Sequence, residues 1–329
     1  MDWKEKKVLV TGAGGFIGSH LVEKLVGLGA KVRAFVRYNS RNDWGLLEIL
    51  PEHTQRQIEV VTGDLRDSES VRTVVKDVQI VFHLGASIAI PYSYGNPRDA
   101  VETNIIGTLN VLNAVKEYEV EKMIQTSSSE VYGTAIYVPI DEKHPLQAQS
   151  PYAASKIAAD KLAESFHLSY DLPVATIRPF NTYGPRQSAR AVIPSIITQV
   201  LSSDIVSLGS LFPTRDFLFV EDTVDGFIKM AESPLTVGEV VNVGTGIEIS
   251  INDLAKKIMS IIGREAKIVS KDERIRPLAS EVKRLVADNT KAKRLMEWEP
   301  KISLDNGLGR TIEWISKSLN RYKVGIYNV

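Results

Sequence analysis

The chain of 329 residues contains no cysteine. That absence excludes a disulfide framework, thiol catalysis and a cysteine-built zinc site, and it fits a reducing compartment. Net charge is also missing. Forty basic and forty acidic residues cancel, so composition indicates no nucleic-acid partner. No uninterrupted apolar run approaches the roughly 20 residues that a membrane helix requires. The charged opening Met1–Lys7 lacks the shape of a signal peptide. Internal repeats and low-complexity segments are absent as well. What remains is 43% hydrophobic and 24% charged, enough for a large core and two lobes. The expectation is a soluble cytoplasmic enzyme with no metal and no membrane partner.

The first half alternates β-rich runs with helical patterns. Strands are expected at Lys7–Val10, Lys31–Val36, Ile58–Thr62, Ile80–Leu84, Met123–Ser127 and Val174–Arg178. Phe16–Leu28, Asp99–Glu119 and Tyr152–Tyr170 have helical spacing, with Gly29 placed as a helix stop. This rhythm predicts an α/β fold, a doubly wound Rossmann-type parallel sheet over residues 1–178. Past Pro179 the alternation loosens. Residues 179–214 and 244–329 are expected to form a smaller α/β lobe over the carboxyl ends of the strands, with the segment near 215–243 returning to the first domain.

Thr11-Gly12-Ala13-Gly14-Gly15-Phe16-Ile17-Gly18 follows a strand and opens a helix. Glycines at 12, 15 and 18 permit a tight turn and let backbone amides approach a pyrophosphate at the positive helix end. NAD enzymes usually place a carboxylate at the end of the second strand. Here that stretch reads Arg37-Tyr38-Asn39-Ser40-Arg41, without an acid and with two arginines. Arginine pairs with a 2′-phosphate, so NADP is expected ahead of NAD. Asp64 is placed to contact the adenine or to cap the helix that begins near Ser68. His83 closes a buried strand and reads as a core histidine.

Tyr152 and Lys156 lie one helical turn apart and face the same way. A lysine ammonium beside a phenol favours the phenolate, a base for oxidising an alcohol. Glu130, in Ser128-Ser129-Glu130-Val131-Tyr132-Gly133, supplies a carboxylate for removing a proton next to the resulting ketone. Few reactions need both.

These motifs, with His83-Leu84-Gly85-Ala86, Asn104, Arg178–Pro185 and Arg215-Asp216-Phe217, resemble the extended short-chain dehydrogenases/reductases of the nucleotide-sugar branch along nearly the whole chain. More narrowly, Arg37–Arg41 and Pro179–Pro194 resemble the LegB-type 4,6-dehydratases, which act on nucleoside-diphosphate N-acetylglucosamine. The resemblance implies transient oxidation at sugar C4, C5 proton removal by Glu130 and loss of the C6 hydroxyl. It gives Ser128 a hydrogen bond to the substrate oxygen. It also implies a homodimer in which Asp99–Glu119 and Tyr152–Tyr170 of each subunit form a four-helix bundle. With the readings above, it yields a cofactor set of Gly12, Gly15, Phe16, Ile17, Gly18, Arg37, Asn39, Ser40, Arg41, Asp64, Leu65, Leu84, Ala86, Asn104, Tyr152, Lys156 and Pro179. The substrate set is Ser87, Tyr92, Asn181, Arg190, Val192, Arg215 and Arg276.

One departure matters. The usual signature of these dehydratases is Thr-Asp-Glu, where this chain has Ser128-Ser129-Glu130. Ser129 can at most relay a proton, so Glu130 is expected to serve twice, on one face of the sugar. Four rivals stay open: a 5,6-dehydratase returning hydride to C4, a UDP-glucuronate decarboxylase, a 4-epimerase, and a non-catalytic NADP-binding regulator.

Overall fold

The computed structural model describes residues 1–324 and 326. The first half supplies β1 (Lys7–Thr11), β2 (Lys31–Arg37), β3 (Ile58–Gly63), β4 (Ile80–His83), β5 (Lys122–Thr126) and β6 (Val174–Pro179). The second supplies β7 (Asn181–Tyr183), β8 (Ile205–Leu208), β9 (Thr214–Phe219), β10 (Val240–Val243), β11 (Glu248–Ser250), β12 (Lys267–Ser270) and β13 (Arg284–Leu285). Seven strands form one sheet in the order β10-β6-β5-β4-β1-β2-β3. Every pairing in it is parallel. The chain winds outward from β1 in both directions, through β2 on one side and β4 on the other. That reversal opens a crevice at the carboxyl end of β1, the place where doubly wound sheets bind ligands.

The sequence dictates this burial. Strands covered on both faces read as continuous apolar runs, and β4 and β6 are buried at every position. In β1, Val8 and Val10 point into a core shared with helices Phe16–Gly27 and Val220–Glu232. Leu9, one residue between, points to the opposite core with Val71, Val111, Leu112 and Phe166. That alternation is the period of a strand. Lys122 starts β5 from inside the protein. Its ammonium donates to Met230 O at 2.7 Å, Ser233 O at 2.6 Å and Thr236 Oγ1 at 2.8 Å. A cation there complements the negative carboxyl end of helix Val220–Glu232 and ties it to the sheet.

The smaller lobe holds a sheet in which β9 pairs with β7, β11 and β13. After β9 the chain crosses back. Helix Val220–Glu232 and β10 belong with the large sheet, whereas β9 itself does not. The expected single helix Asp99–Glu119 is three pieces. A short helix at Pro97–Val101 leads into a wide π-helical turn at Glu102–Ile106, and an α-helix follows at Gly107–Glu117. Asn104 is the buried residue of the widened turn and makes its side-chain hydrogen bonds in the interior. No helix among the described residues is long and apolar enough to cross a membrane.

Candidate active site

The glycine turn is built by close approach. Gly12 has φ +67°, and a Cβ there would sit 2.8 Å from Gly85 Cα. A Cβ on Gly18 would lie 2.2 Å from Gly12 O, so only glycine lets the helix start this close to the strand. Gly15 precedes helix Phe16–Gly27 with no capping side chain, and the first turn carries no acid. Its amides and positive end therefore face the crevice unneutralised, as anion binding requires. A cavity of about 180 Å³ opens beside this turn. Gly12, Arg37, Asp64, Leu65, Ala86 and Ser87 line it. A larger recess, about 520 Å³, lies behind helix Pro151–Tyr170 and is lined by none of the residues expected to bind a ligand.

Phe16, Ile17 and Leu84 flank the glycine turn half-buried, and Pro179 is buried at the end of β6. Arg37, Ser40 and Arg41 are exposed at the end of β2. Asn39 organises that loop, accepting from the amides of Arg41 and Asp43, both at 3.1 Å. Asp64 does not cap the next helix. Asp67 does, accepting from Glu69 N and Ser70 N, because it stands immediately before Ser68 while Asp64 is held by Arg66. Arg66, with Arg37 beside it, holds the Asp64 carboxyl below the usual carboxylate range.

Asn104, expected to contact the cofactor, is engaged by neighbouring groups of the fold. It is buried, accepts from Ser87 N at 2.7 Å, and donates to Ser87 O at 3.0 Å and Ser155 Oγ at 2.8 Å. It fixes the loop after β4 to the Tyr152 helix. His83 is a core histidine whose tautomer follows from its neighbours. Thr108 Oγ1 donates to Asn104 O, so it must accept from Nε2–H at 3.1 Å. Thr11 Oγ1 accepts from Gly85 N and gives its proton to Nδ1 at 2.8 Å. Burial, with Lys156 adding repulsion, pushes this imidazole down to about 3 and keeps it neutral.

Ser150 starts helix Pro151–Tyr170 by accepting from Ala153 N, and Pro151 occupies the first turn. This places Tyr152 and Lys156 at the carboxyl ends of β4 and β5. The Lys156 ammonium donates to Thr126 O, not to the phenol. Burial pulls Lys156 down to about 8, against the opposing pull of Asp160. Burial pushes the Tyr152 phenol up to about 12, with an interaction from Ser128 acting the other way. The expected depression of the phenol is therefore not a property of these two side chains alone. The tight turn Ser129–Tyr132 follows Ser128, whose hydroxyl accepts from Glu130 N at 3.2 Å. Ser129 and Glu130 are both buried.

The smaller lobe closes on Glu130. Arg276 Nη1 lies 3.6 Å from Glu130 Oε2. Burial disfavours the Arg276 charge, but Glu130 and Glu281 outweigh it and raise its proton affinity. Arg215 is buried, with Nη2 3.7 Å from Glu281 Oε1. Burial lowers its affinity, and Glu130 opposes that. Ser87, Tyr92, Asn181 and Val192 are half-buried, whereas Arg190 is exposed and its guanidinium is not drawn into this cluster. Thr126 Oγ1 and Asn181 Oδ1 are buried without a hydrogen-bond partner, and buried Arg276 Nη1 meets the Glu130 carboxylate beyond hydrogen-bond distance. Buried polar atoms of this kind call for a partner, and the uncapped helix end beside the cavity offers its amides to an anionic ligand. No group of three or more metal-ligating side chains occurs among the described residues.

Three residues at the site were missed in the sequence: Arg66, Glu281 and Asp160. Asp160 had a readable signal, since it stands four residues after Lys156 on the same helix face. Arg66 had one too, since it stands two residues after Asp64, which it holds, whereas Glu281 had none, because its partner Arg215 comes from a distant element.

Residues 9–311 match the family model described as GDP-mannose 4,6 dehydratase. The chain is 33% identical to a UDP-glucose 4-epimerase of Mycolicibacterium smegmatis, over 94% of this chain and 98% of that one. It is 30% identical to the dTDP-D-glucose 4,6-dehydratase of Mus musculus, over 97% and 91%. Among solved structures, DesIV, a dTDP-glucose 4,6-dehydratase from Streptomyces venezuelae with NAD bound, superposes with a TM-score of 0.85 at 26% identity. It covers 96% of this chain and 99% of that one. Sheet order, glycine turn, Tyr152/Lys156 pair and these likenesses agree: the chain belongs to the extended short-chain dehydrogenase/reductase family of NAD-dependent nucleotide-sugar dehydratases and epimerases.

Proposed function

We propose that the chain is a nucleotide-sugar dehydratase acting on UDP- or GDP-linked N-acetylglucosamine as a 4,6-dehydratase. The observation that carries this reading is Glu130, a carboxylate buried beside Tyr152 and 3.6 Å from Arg276. A 4-epimerase has no use for a base at that place, because abstraction at C5 diverts its ketone into elimination. When bound, a nicotinamide dinucleotide supplies acceptance of hydride from C4 and its later return. Tyr152 takes the proton of the 4-hydroxyl, and Ser128 orients that oxygen. The new carbonyl acidifies C5, and Glu130 removes its proton. The C6 hydroxyl then departs. Glu130 is the single acid of its turn, so the proton it took goes to the departing oxygen and water leaves. Arg215 and Arg276 are the diphosphate clamps, with their forks of donors.

Ser129 favours one second reading. Without an acid at that position, return of hydride to C4 rather than C6 gives a 5,6-ene sugar. Incubation with UDP- and GDP-N-acetylglucosamine, followed by mass and NMR analysis, separates the readings. Loss of water with a C4 ketone supports the first and a vinylic C6 the second. Inversion at C4 without loss of mass contradicts both. The apolar run Ile88-Ala89-Ile90, next to the proposed substrate residue Ser87, speaks against a substrate carboxylate, and hence against decarboxylation.

The cofactor expected is NADP. Arg37 lines the cavity beside the glycine turn, Arg41 follows in the same exposed loop, and β2 carries no carboxylate, which supports this reading. Replacing both with serine is expected to weaken NADP binding about tenfold in equilibrium titration and to leave NAD within twofold. Wild-type protein that binds NAD more tightly overturns this preference. We also propose a homodimer through segment 97–119 and helix Pro151–Tyr170, which expose Val101, Ile106, Leu168 and Tyr170. Light scattering at micromolar concentration is expected to give twice the chain mass, and a monomer there contradicts the bundle.

A further inference from the structure

Behind the site runs a chain of buried polar groups that touches none of the reacting atoms. Asp160 Oδ2 accepts from Ser127 Oγ at 2.7 Å and from Arg178 Nε and Nη2 at 3.1 and 2.9 Å. Arg178 Nη1 donates to Tyr132 OH at 2.9 Å. Tyr132 OH passes its own proton to Asn242 Oδ1 at 2.7 Å, and Asn242 Nδ2 donates to Ile140 O at 3.0 Å. All four side chains are buried: Tyr132 and Asn242 completely, Asp160 and Arg178 to 4% exposure. Buried polar networks of this kind help fix one arrangement of a core, and in this one Asp160 Oδ1 is left without a hydrogen-bond partner.

Two of its members are what matter. Asp160 stands one turn beyond Lys156 on the helix that carries Tyr152. Tyr132 closes the turn Ser129–Tyr132 that carries Glu130, two residues away. Arg178, on β6, joins them. Its guanidinium also lies 5.0 Å from the centre of the Tyr132 ring, so Tyr132 is gripped at its hydroxyl and on its face. The helix with the oxidising base and the turn with the eliminating base come from separate stretches of chain. Their mutual distance has to be held by something, and a shift of about 1 Å at such a site costs on the order of 10²-fold in rate.

We infer that Tyr132, through Arg178 and Asp160, is a positioning residue that holds the Glu130 turn at a fixed separation from the Tyr152–Lys156 helix. The role deepens the dehydratase reading and rests on it for the identity of the second base. It assigns Tyr132 no proton transfer and no contact with substrate.

The test uses Tyr132→Phe, which keeps the ring and removes both hydroxyl hydrogen bonds, and Asp160→Asn, which loosens the strut from the helix end. UDP-N-acetylglucosamine is supplied in D2O. Nicotinamide reduction is followed by absorbance in a single turnover, and deuterium entry at C5 by mass spectrometry. Tyr132→Phe is expected to slow C5 exchange about tenfold and leave reduction within twofold. Asp160→Asn is expected to slow both, since it also borders Lys156. Equal loss of both steps in Tyr132→Phe marks a merely structural residue and overturns the inference, as does unchanged C5 exchange. Crystal structures of the two variants read the strut independently of any reaction. The Glu130–Tyr152 separation is expected to widen relative to wild type, and an unchanged separation overturns the inference. Wild-type protein that reduces its cofactor without exchanging C5 would instead count against the dehydratase reading, leaving the crystallographic arm to decide the strut.

Discussion

Glu130→Gln is expected to abolish dehydration while reduction of the cofactor by the sugar survives. A positioned general base contributes on the order of 10² to 10⁴-fold, and an amide cannot accept the C5 proton. The substitution preserves shape and leaves the Ser128 contact to the backbone amide intact. Arg276 loses its carboxylate neighbour but keeps Glu281 near, so the lobe has no reason to open. Absorbance of the reduced nicotinamide should therefore accumulate on mixing with UDP-N-acetylglucosamine and then persist, because the ketone has no route onward. Full dehydration by this variant removes Glu130 from the chemistry. Loss of reduction together with dehydration shows that the substitution damaged the whole site.

Tyr152→Phe is expected to block the earlier step, lowering reduction by a similar 10² to 10⁴-fold with nucleotide-sugar affinity little changed. The pH dependence is the sharper signature. Burial pushes the phenol up to about 12, so it is protonated at neutral pH and the base form grows as pH rises. Wild-type reduction should rise from neutral pH upward. Lys156, pulled down to about 8 by burial, loses its charge over the same range and limits the rise on the alkaline side. In Tyr152→Phe the upward limb should vanish. A variant that retains it places the titrating base elsewhere.

Much of this was legible in the sequence because it is local. The apolar alternation of β1, the glycine spacing at 12, 15 and 18 and the one-turn offset of Tyr152 and Lys156 each depend on neighbours along the chain. The stop at Gly29 is equally local, and the helix ends two residues before it, at Gly27, where Gly29 turns the chain with φ +87°. What escaped depends on distant partners. Helical spacing across Asp99–Glu119 gave no hint of the π-helical turn, since Asn104 turns inward to reach Ser87 and Ser155. The cap is an exception, since Asp67 stands immediately before Ser68, a local position that the reading of Asp64 passed over. The strip Asp216–Val220 has the pattern of a strand, yet nothing in it says that its partners are β7, β11 and β13. The Asp160–Arg178–Tyr132–Asn242 chain joins four separate elements, and no spacing rule connects them.

The Tyr152 phenol illustrates a further limit. Proximity of Lys156 suggested a phenolate, but in the fold that ammonium engages Thr126 O, and burial dominates both groups. Electrostatic roles follow from the three-dimensional balance of desolvation and charge, which a list of neighbouring residues does not contain.

The most direct measurement is turnover of UDP-N-acetylglucosamine by the wild-type protein in D2O, with the product resolved by NMR. Our reading expects a product lighter by one water, carrying a C4 ketone and solvent deuterium at C5. A product inverted at C4 that retains its original C5 proton would contradict it, because Glu130 would then have taken no part.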